Sequence, residues 1–198
     1  MEKTQTFNEY KKLFLEKNQV LNLISKNDEK LLEEKHIFDS LSIKLFFEKY
    51  PNDYKNLLDI GTGGGFPALP IAIEYPEIEV TGIDSTGKKI RAISEIAKKL
   101  ELKNFQTICD RVENLKNKKY DLITSRAVAK LDLIAQYALP LLDKDGYLIV
   151  YKSKTAKEEI KLADKILKKN KAKVVDIIEY NLPLDEVHER NLVVIKYV

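Results

Sequence analysis

Glycine is scarce in this chain except in one segment. Four of its seven glycines lie within Asp59-Ile-Gly61-Thr-Gly63-Gly64-Gly65-Phe66. Without a Cβ, glycine lets the backbone turn sharply and approach a ligand closely. The segment comes directly after a short apolar run and before a helical pattern, the position at which open α/β sheets bind ligands. We therefore predict a ligand-binding loop in which Gly61, Gly63 and Gly65 contact a cofactor.

A carboxylate that follows the loop is suited to binding a nucleoside. Asp84 ends the next apolar run, where it can accept hydrogen bonds from both ribose hydroxyls. The dinucleotide fingerprint G-x-G-x-x-G would place its third glycine where this chain has Phe66, and the spacing here is G-x-G-x-G. With Asp59 just before the loop, this spacing favours S-adenosylmethionine over a nicotinamide dinucleotide. A tight turn beside a surface aspartate is the simpler alternative.

Polar residues also follow the third and fourth apolar runs. Asp110 and Glu113 come after the third run and can reach the adenine or ribose side of the pocket. Arg126 ends the fourth run, where methyl donor and acceptor meet in this architecture. We expect Arg126 to orient the acceptor or the cofactor carboxylate. A salt bridge to a neighbouring acid is the alternative.

The elements that must position these residues follow from the hydrophobic pattern. Short apolar runs alternate with helical patterns, which predicts parallel strands joined by right-handed crossovers with helices on both faces. The predicted strands are Leu57–Ile60, Val80–Ile83, Phe105–Cys109, Asp121–Thr124, Tyr147–Tyr151, Val174–Tyr180 and Leu192–Tyr197. Only a loop separates the last two, so the last strand should run antiparallel. The fold class is a doubly wound, Rossmann-like α/β domain with a seven-stranded sheet.

An N-terminal helical extension precedes this domain. Residues 4–50 carry apolar residues at near-helical spacing, and Ser25 to Asp28 offers N-cap chemistry between two helical runs. His36 and Asp39 are three residues apart on the second run, close enough to share one face. We expect this pair to anchor the helix against the pocket, although a catalytic pair is also open. The predicted boundaries are 1–50 for the extension and 51–198 for the sheet domain, as one compact unit.

Composition narrows the class of protein. Hydrophobic residues make up 44% of the chain and charged residues 33%, which is typical of a solvated domain with a substantial core. No apolar run reaches the roughly 20 residues that span a bilayer, and the first residues lack signal-peptide features, so we expect a cytoplasmic protein and no membrane. Cys109 is the only cysteine and there are two histidines. We therefore expect no disulfide and no metal site.

The positive charge is concentrated in one stretch. The formal net charge is only +3, but nine lysines and three acids lie between Lys152 and Lys173. Lys157, Lys161, Lys165 and Lys169 recur every four residues and would form one ridge on a helix. Such a ridge either contacts RNA or is a solvated face.

Together these residues resemble one family, the RsmG (GidB) 16S rRNA guanine-N7 methyltransferases of bacteria. The resemblance covers nearly the whole chain. Its motifs are Asn22-Leu-Ile-Ser25, His36-Ile-Phe-Asp39-Ser40, Asp59 to Pro67, Asp84-Ser85 with Lys88-Lys89, Arg111-Val112-Glu113, Ser125-Arg126-Ala127 and Arg190 to Ile195. Three residues depart from the family pattern: Ala68, Asp110 and Ser153.

The resemblance implies S-adenosylmethionine as the cofactor and a guanine in a loop of the small-subunit rRNA as the substrate. It implies that Gly61, Phe66, Val112, Glu113 and Arg126 line the cofactor pocket. The partner would be 16S rRNA, within the small ribosomal subunit or an assembly intermediate, and we expect a monomer. Basic and polar residues around the pocket mouth are candidates for RNA contact: His36, Asp39, Lys88, Lys89, Arg91, Lys152 and Arg190.

Methylation of guanine N7 needs no general base, and the sequence contains no motif for one. This nitrogen already carries a free lone pair, so no general base has to remove a proton, and no Asp/Asn-Pro-Pro-Tyr motif for exocyclic amino groups is present. Methyl transfer then depends mainly on aligning donor and acceptor. Two other functions remain open from sequence: a nicotinamide-dependent oxidoreductase, and a non-catalytic RNA-binding or ribosome-assembly protein on the same fold.

Overall fold

Seven strands form one mixed sheet in the computed structural model, which describes residues 3–198. The strands are β1 Asn56–Ile60, β2 Glu79–Asp84, β3 Phe105–Cys109, β4 Tyr120–Arg126, β5 Leu142–Lys152, β6 Ala172–Leu182 and β7 His188–Tyr197. Their order is β3-β2-β1-β4-β5-β7-β6. Strands β1 to β5 pair in parallel, and β7 is antiparallel to both β5 and β6. The predicted fold class and the antiparallel last strand are confirmed.

Helices cover both faces of the sheet. They are α1 Lys3–Leu21, α2 Lys26–Glu29, α3 Phe38–Leu41, α4 Lys44–Lys49, α5 Ala68–Glu74, α6 Gly87–Lys99, α7 Leu131–Ala138 and α8 Ala156–Lys169. Consecutive residues Leu57 and Leu58 of β1 show why both faces must be covered, since each is fully buried in a different core cluster. Leu58 packs with α7 and α8, and Leu57 packs with α4 and α5. Between β3 and β4 there is only a short 3-10 turn, Val112–Asn114.

The N-terminal helices pack directly on the sheet domain. Tyr10 and Phe14 of α1 are fully buried in one cluster with Ile93 and Ile96 of α6. The predicted boundary at residue 51 stays a prediction, and residues 1 and 2 of the predicted extension lie outside the described residues. Within residues 3–198, no helix has both the length and the apolar character needed to cross a membrane.

The second helical run is less regular than its spacing predicts. Ser25 caps α2 as expected, because its Oγ accepts a hydrogen bond from the Asp28 N–H at 3.2 Å. The chain then forms a π-helical turn, Leu32–Ile37, before α3 begins. Leu32 and Ile37 are five residues apart and are both buried, a spacing that suits the wider π-turn. This turn carries His36, and Asp39 follows it in α3.

An aromatic cluster joins the extension to the middle of the sheet. The Phe46 ring of α4 lies 5.2 Å from Tyr50, 5.8 Å from Tyr54 and 5.2 Å from Tyr147 of β5, measured between ring centroids. Phe46 itself is fully buried. Aromatic pairs at these distances stabilise a fold beyond the area that they bury.

We predict that Phe46→Ala lowers the free energy of unfolding by about 3–5 kcal/mol, because it removes a buried ring and leaves a cavity. Urea denaturation followed by circular dichroism measures this change. Val20→Ala on α1 is the control, since Val20 is 78% exposed, and it should change stability by less than about 0.5 kcal/mol. A second, separate transition in either variant would contradict the packing of the extension and sheet domain as one unit.

Candidate active site

The glycine loop lies at the carboxyl end of β1 and is fixed to β2. The backbone N–H groups of Gly61 and Thr62 both donate to the Ile83 carbonyl, at 2.9 and 3.0 Å. Gly61 has a φ of +69°, and a Cβ at this position would lie 2.3 Å from Cγ2 of Val128. Gly63 and Gly65 also have positive φ. The loop therefore presents bare backbone at the sheet edge, and a side chain at Gly61 would collide with Val128.

Asp84 holds the loop from the neighbouring strand. Its Oδ2 accepts a hydrogen bond from the Gly63 N–H at 3.0 Å, and its Oδ1 accepts one from the Thr86 N–H at 2.7 Å. Each carboxylate oxygen has a second lone pair. Asp84 can thus orient the loop and still accept hydrogen bonds from a bound ligand.

Two adjoining cavities flank the loop, and they share Gly61, Asp84 and Val128. The larger, about 390 Å³, is here called the loop cavity. Its lining includes Leu23, Ile24, Asp28, His36, Gly61 to Gly64, Phe66, Asp84, Lys89 and Arg126. The smaller, about 270 Å³, is lined by Ile60, Ile83, Ser85, Asp110, Arg111, Val112, Glu113 and Tyr137 beside the shared residues. An elongated ligand with a nucleoside at one end would fit across both.

A third cavity, about 360 Å³, lies on the other side of Arg126 and is here called the outer cavity. It shares His36, Arg126 and Ala127 with the loop cavity. The rest of its lining is Lys35, Asp39, Tyr151, Lys152, Ser153, Glu159 and Arg190. Arg126 therefore stands between a glycine-lined cavity and a cavity rich in charged side chains.

The guanidinium of Arg126 is held on three sides. Its Nη1 donates to Asp39 Oδ2 at 2.8 Å, its Nη2 donates to His36 Nδ1 at 3.0 Å, and its Cζ lies 5.2 Å from the centre of the Phe66 ring. The Arg126 side chain is 14% exposed and that of Asp39 only 6%. This ion pair is the salt bridge that the sequence left open as an alternative role for Arg126. It fixes the guanidinium and leaves some of its N–H groups for a ligand.

Asp39 is the centre of a wider network. Besides Arg126, its carboxylate accepts a hydrogen bond from the Tyr180 hydroxyl at 2.7 Å, and Arg190 Nε lies 3.9 Å from Oδ1. Burial, with the charge of Asp39 beside it, raises the pKa of Tyr180 far above its ordinary value. Asp39 thus joins the extension to β4, β6 and β7.

His36 is neutral at physiological pH. Burial and the neighbouring Arg126 charge lower the pKa of His36 to about 4. Because an arginine can only donate, the Nδ1 atom that faces Arg126 must accept, and the proton lies on Nε2. The His36 ring lies 5.0 Å from Phe66. His36 therefore adds an aromatic surface and no charge to the wall between the two cavities.

Asp59 is buried beneath the glycine loop. Its Oδ1 accepts a hydrogen bond from the Thr124 hydroxyl at 2.9 Å, while Oδ2 is buried without a hydrogen-bond partner in the described part of the chain. Burial raises the pKa of Asp59 to about 7 in spite of this hydrogen bond. Burial therefore favours the protonated form of this carboxyl.

The remaining predicted site residues are distributed unevenly. Lys89 lines the loop cavity, and Val112 and Glu113 line the smaller cavity beside it. The Lys152 side chain is mostly buried. Its Nζ lies 2.6 Å from Glu159 Oε2 and donates a hydrogen bond to the Ala129 carbonyl at 2.8 Å. Arg190 lines the outer cavity. Lys88 and Arg91 are exposed on the first turns of α6.

Sequence reasoning missed several residues of the site. Val128 packs on Gly61, Tyr180 binds Asp39, and Leu23 and Ile24 line the loop cavity. Tyr180 gave no signal because it ends the predicted strand Val174–Tyr180, whose other residues are apolar or acidic. Leu23 and Ile24 lie within the motif Asn22 to Ser25 of the family resemblance, which was the available signal. Among the described residues, no group of three or more His, Cys, Asp or Glu could hold a metal ion.

The sheet order, the antiparallel β7 and the glycine loop at the carboxyl edge define a class I methyltransferase fold. Solved structures of methyltransferases have a similar fold. One is TYW2 of M. jannaschii in complex with AdoMet, with a TM-score of 0.60 and 15% identity, covering 81% of this chain and 77% of that chain. Another is the ribosomal protein L11 methylase of Lactobacillus delbrueckii subsp. bulgaricus, with a TM-score of 0.59 and 19% identity, covering 78% of this chain and 76% of that chain.

Sequence relatives identify the family. The GidB family, described as rRNA small subunit methyltransferase G, matches residues 3–192. The ribosomal RNA small subunit methyltransferase G of Desulforamulus reducens is 40% identical over 200 residues, covering 98% of this chain and 82% of that protein. The enzyme of the same name from Listeria welshimeri is 36% identical over 194 residues, covering 96% and 80%. The chain belongs to the GidB family, and the resemblance found in its motifs is confirmed.

We predict that Asp39→Asn lowers the free energy of unfolding by about 3–5 kcal/mol, because it leaves the buried Arg126 guanidinium without its counter-charge. Thermal and urea denaturation measure the loss. Asp164→Asn is the matched control, since Asp164 forms an exposed ion pair with Lys168 on α8. That variant should differ from the parent by less than about 1 kcal/mol. Equal losses in the two variants would show that the buried ion pair contributes no more to the free energy of unfolding than the exposed one.

Proposed function

We propose that this protein transfers a methyl group from S-adenosylmethionine to N7 of a guanine in a loop of 16S rRNA. The observation that carries the proposal is the meeting of the loop cavity and the outer cavity at Arg126. One cavity suits a nucleoside cofactor and the other suits an anionic substrate, with Arg126 at the boundary. Membership of a family described as rRNA small subunit methyltransferases supports RNA as the substrate.

The residues present fit S-adenosylmethionine. The loop cavity has the bare backbone of Gly61 on one side, where Val128 leaves no room for a Cβ. Asp84 offers two carboxylate oxygens toward ribose hydroxyls, and Val112 and Glu113 lie where an adenine would follow. We assign Gly61, Gly63, Phe66, Asp84, Val112, Glu113 and Arg126 to cofactor binding. Gly65, also predicted to contact the cofactor, lies outside the lining of both cavities and packs against Leu69 and Ile93, so we assign it to the shape of the loop. When bound, the cofactor supplies an electrophilic methyl group on a sulfonium.

The side chains of the outer cavity support an acceptor that needs no deprotonation. Its two carboxylates, Asp39 and Glu159, are engaged with Arg126 and Lys152. His36 is neutral, and its Nδ1 lone pair is directed at Arg126. None of the three is free to act as a general base. Guanine N7 carries its own lone pair, so the protein needs only to align it with the methyl carbon.

The charges around Arg126 suit a reaction that creates a cation. N7-methylguanine is positively charged, and an unpaired arginine beside it would oppose its formation. Asp39 neutralises Arg126 at 2.8 Å and lies 3.9 Å from Arg190. Arg126 can therefore orient the base or the cofactor carboxylate by hydrogen bonds without adding a full positive charge.

We further propose the cellular setting that follows from this activity. The enzyme acts in the cytoplasm as a monomer, on the small ribosomal subunit or an assembly intermediate. Arg190, Lys89, Lys88 and Arg91 are candidate RNA contacts, as are His36 and Asp39 at the outer cavity. For Lys152 and Asp39 the ion pairs favour positioning of neighbouring side chains over direct contact with phosphate.

Gly61→Ala is expected to abolish binding of S-adenosylmethionine, because the new Cβ would overlap Val128 and the residue would keep an unfavourable positive φ. Gly87→Ala is the matched control, since a Cβ there would lie 3.5 Å from Cys109 Sγ, an ordinary contact. Isothermal titration calorimetry with S-adenosylmethionine and with NAD(H) measures both variants and the parent. Binding of NAD(H) alone by the parent would favour an oxidoreductase instead.

Methyl transfer is tested with radiolabelled S-adenosylmethionine and either intact small subunits or naked 16S rRNA. We expect label in RNA at one guanine, detected by strand cleavage after borohydride and aniline treatment. Replacing guanine by 7-deazaguanine in a transcript should abolish transfer, because the acceptor nitrogen is then missing. Label that persists in the 7-deaza transcript would refute N7 as the acceptor. Label in neither RNA sample would remove the rRNA assignment, and RNA binding without transfer would indicate a non-catalytic assembly protein.

A further inference from the structure

A polar cleft borders the outer cavity at Arg190. This cleft, about 320 Å³, lies between the start of α8 and the strands β6 and β7. Arg190 lines both spaces. Lys154 and Lys157 line the cleft from the α8 side, and Glu179 and Asn181 line it from β6. Glu189 of β7 lies in the lining next to Arg190, so the cleft holds three cations and two carboxylates. A strand that enters the outer cavity would therefore meet this cleft next.

The lysine ridge on α8 begins at the cleft. Lys157 lines the cleft, and Lys161, Lys165 and Lys169 follow it along the helix at intervals of four residues, all of them exposed. Four residues of α-helix rise about 6 Å. The core side of α8 is occupied by Ala156, Ala163 and Leu167, so the lysines face away from the sheet.

Most of these charges have no counter-charge within the protein. Lys157 is 3.5 Å from Glu179. In the part of the chain that the structure describes, no carboxylate is within ion-pairing distance of Lys154, Lys161 or Lys165. Lysines left unpaired in this way attract phosphates, and binding then releases the counterions of the nucleic acid.

We propose that the cleft and the α8 ridge bind the sugar–phosphate backbone of the rRNA that flanks the target nucleotide. The RNA passes from the outer cavity over Arg190, through the cleft and along Lys157, Lys161 and Lys165. This inference rests on the proposed function for its direction, since the outer cavity is where the acceptor base enters. The contacts are to phosphate, so they supply affinity and orientation and carry no base preference.

The test compares the neutralised variant Lys161→Gln/Lys165→Gln with a control of equal charge change, Lys98→Gln/Lys99→Gln. The control lysines are also exposed, at the last turn of α6. Equilibrium binding to a 16S rRNA transcript is measured over a range of salt concentrations, without methyl donor. Loss of two phosphate contacts should weaken binding about tenfold and reduce the slope of log K against log salt by about 2. Lys154→Gln should reduce the slope by about 1.

Methyl transfer gives a second readout. The α8 variant should raise KM for rRNA about tenfold and leave kcat and the affinity for S-adenosylmethionine within about twofold of the parent. The control should match the parent in every measurement.

Three results would overturn the proposal. The first is an α8 variant with the same salt slope and affinity as the parent, which would make the ridge a solvated face. The second is a parent protein that does not bind rRNA. The third is preferential binding of the parent to anionic phosphatidylserine vesicles that the α8 variant loses. A parent that binds rRNA with the expected slope but transfers no methyl group would instead refute the proposed function and leave the ridge assignment standing.

Discussion

The buried ion pair between Arg126 and Asp39 is the contact on which the site depends. Isolated buried charges are costly, and each of these two is stable only because the other lies 2.8 Å away. Asp39 comes from the helical extension and Arg126 from the end of β4, so the pair fixes the extension to the sheet edge at one point. The loop cavity, the outer cavity and the positions of His36 and Tyr180 all follow from that attachment.

The same pair would allow a site rich in charge to form the cationic product of the proposed reaction. Arg126 keeps its hydrogen-bonding geometry while Asp39 compensates its charge, and Arg190 approaches the same carboxylate. A second pair, Lys152 with Glu159, repeats this arrangement on the opposite wall of the outer cavity. Two of the four cations that line the cavity, Arg126 and Lys152, are thus paired with carboxylates of the same lining. The proposed phosphate contacts on α8 lie outside this cavity.

Local patterns predicted the fold and the position of the glycine loop well. Apolar runs and helical spacing depend on near neighbours, so the seven strands and the loop around Gly61 could be found from the sequence. The partners of Arg126 could not, because Asp39 is 87 residues away along the chain and Tyr180 is 141 residues from Asp39. The pairing of Lys152 with Glu159 could not be predicted either, because it depends on where α8 begins. Family motifs marked Asp39 and Arg126 as belonging to a site but gave no reason for their contact.

The π-helical turn Leu32–Ile37 sets the rotational phase of the residues around it. Each residue of an α-helix turns the chain by about 100°, and a π-turn accommodates one more residue than an α-turn. If this segment were one residue shorter, the chain could not keep both the apolar packing of α1 and α4 and the contact between Asp39 and Arg126. The extra residue of the π-turn therefore lets Leu32 and Ile37 pack in the core while Asp39, two residues farther on, faces Arg126.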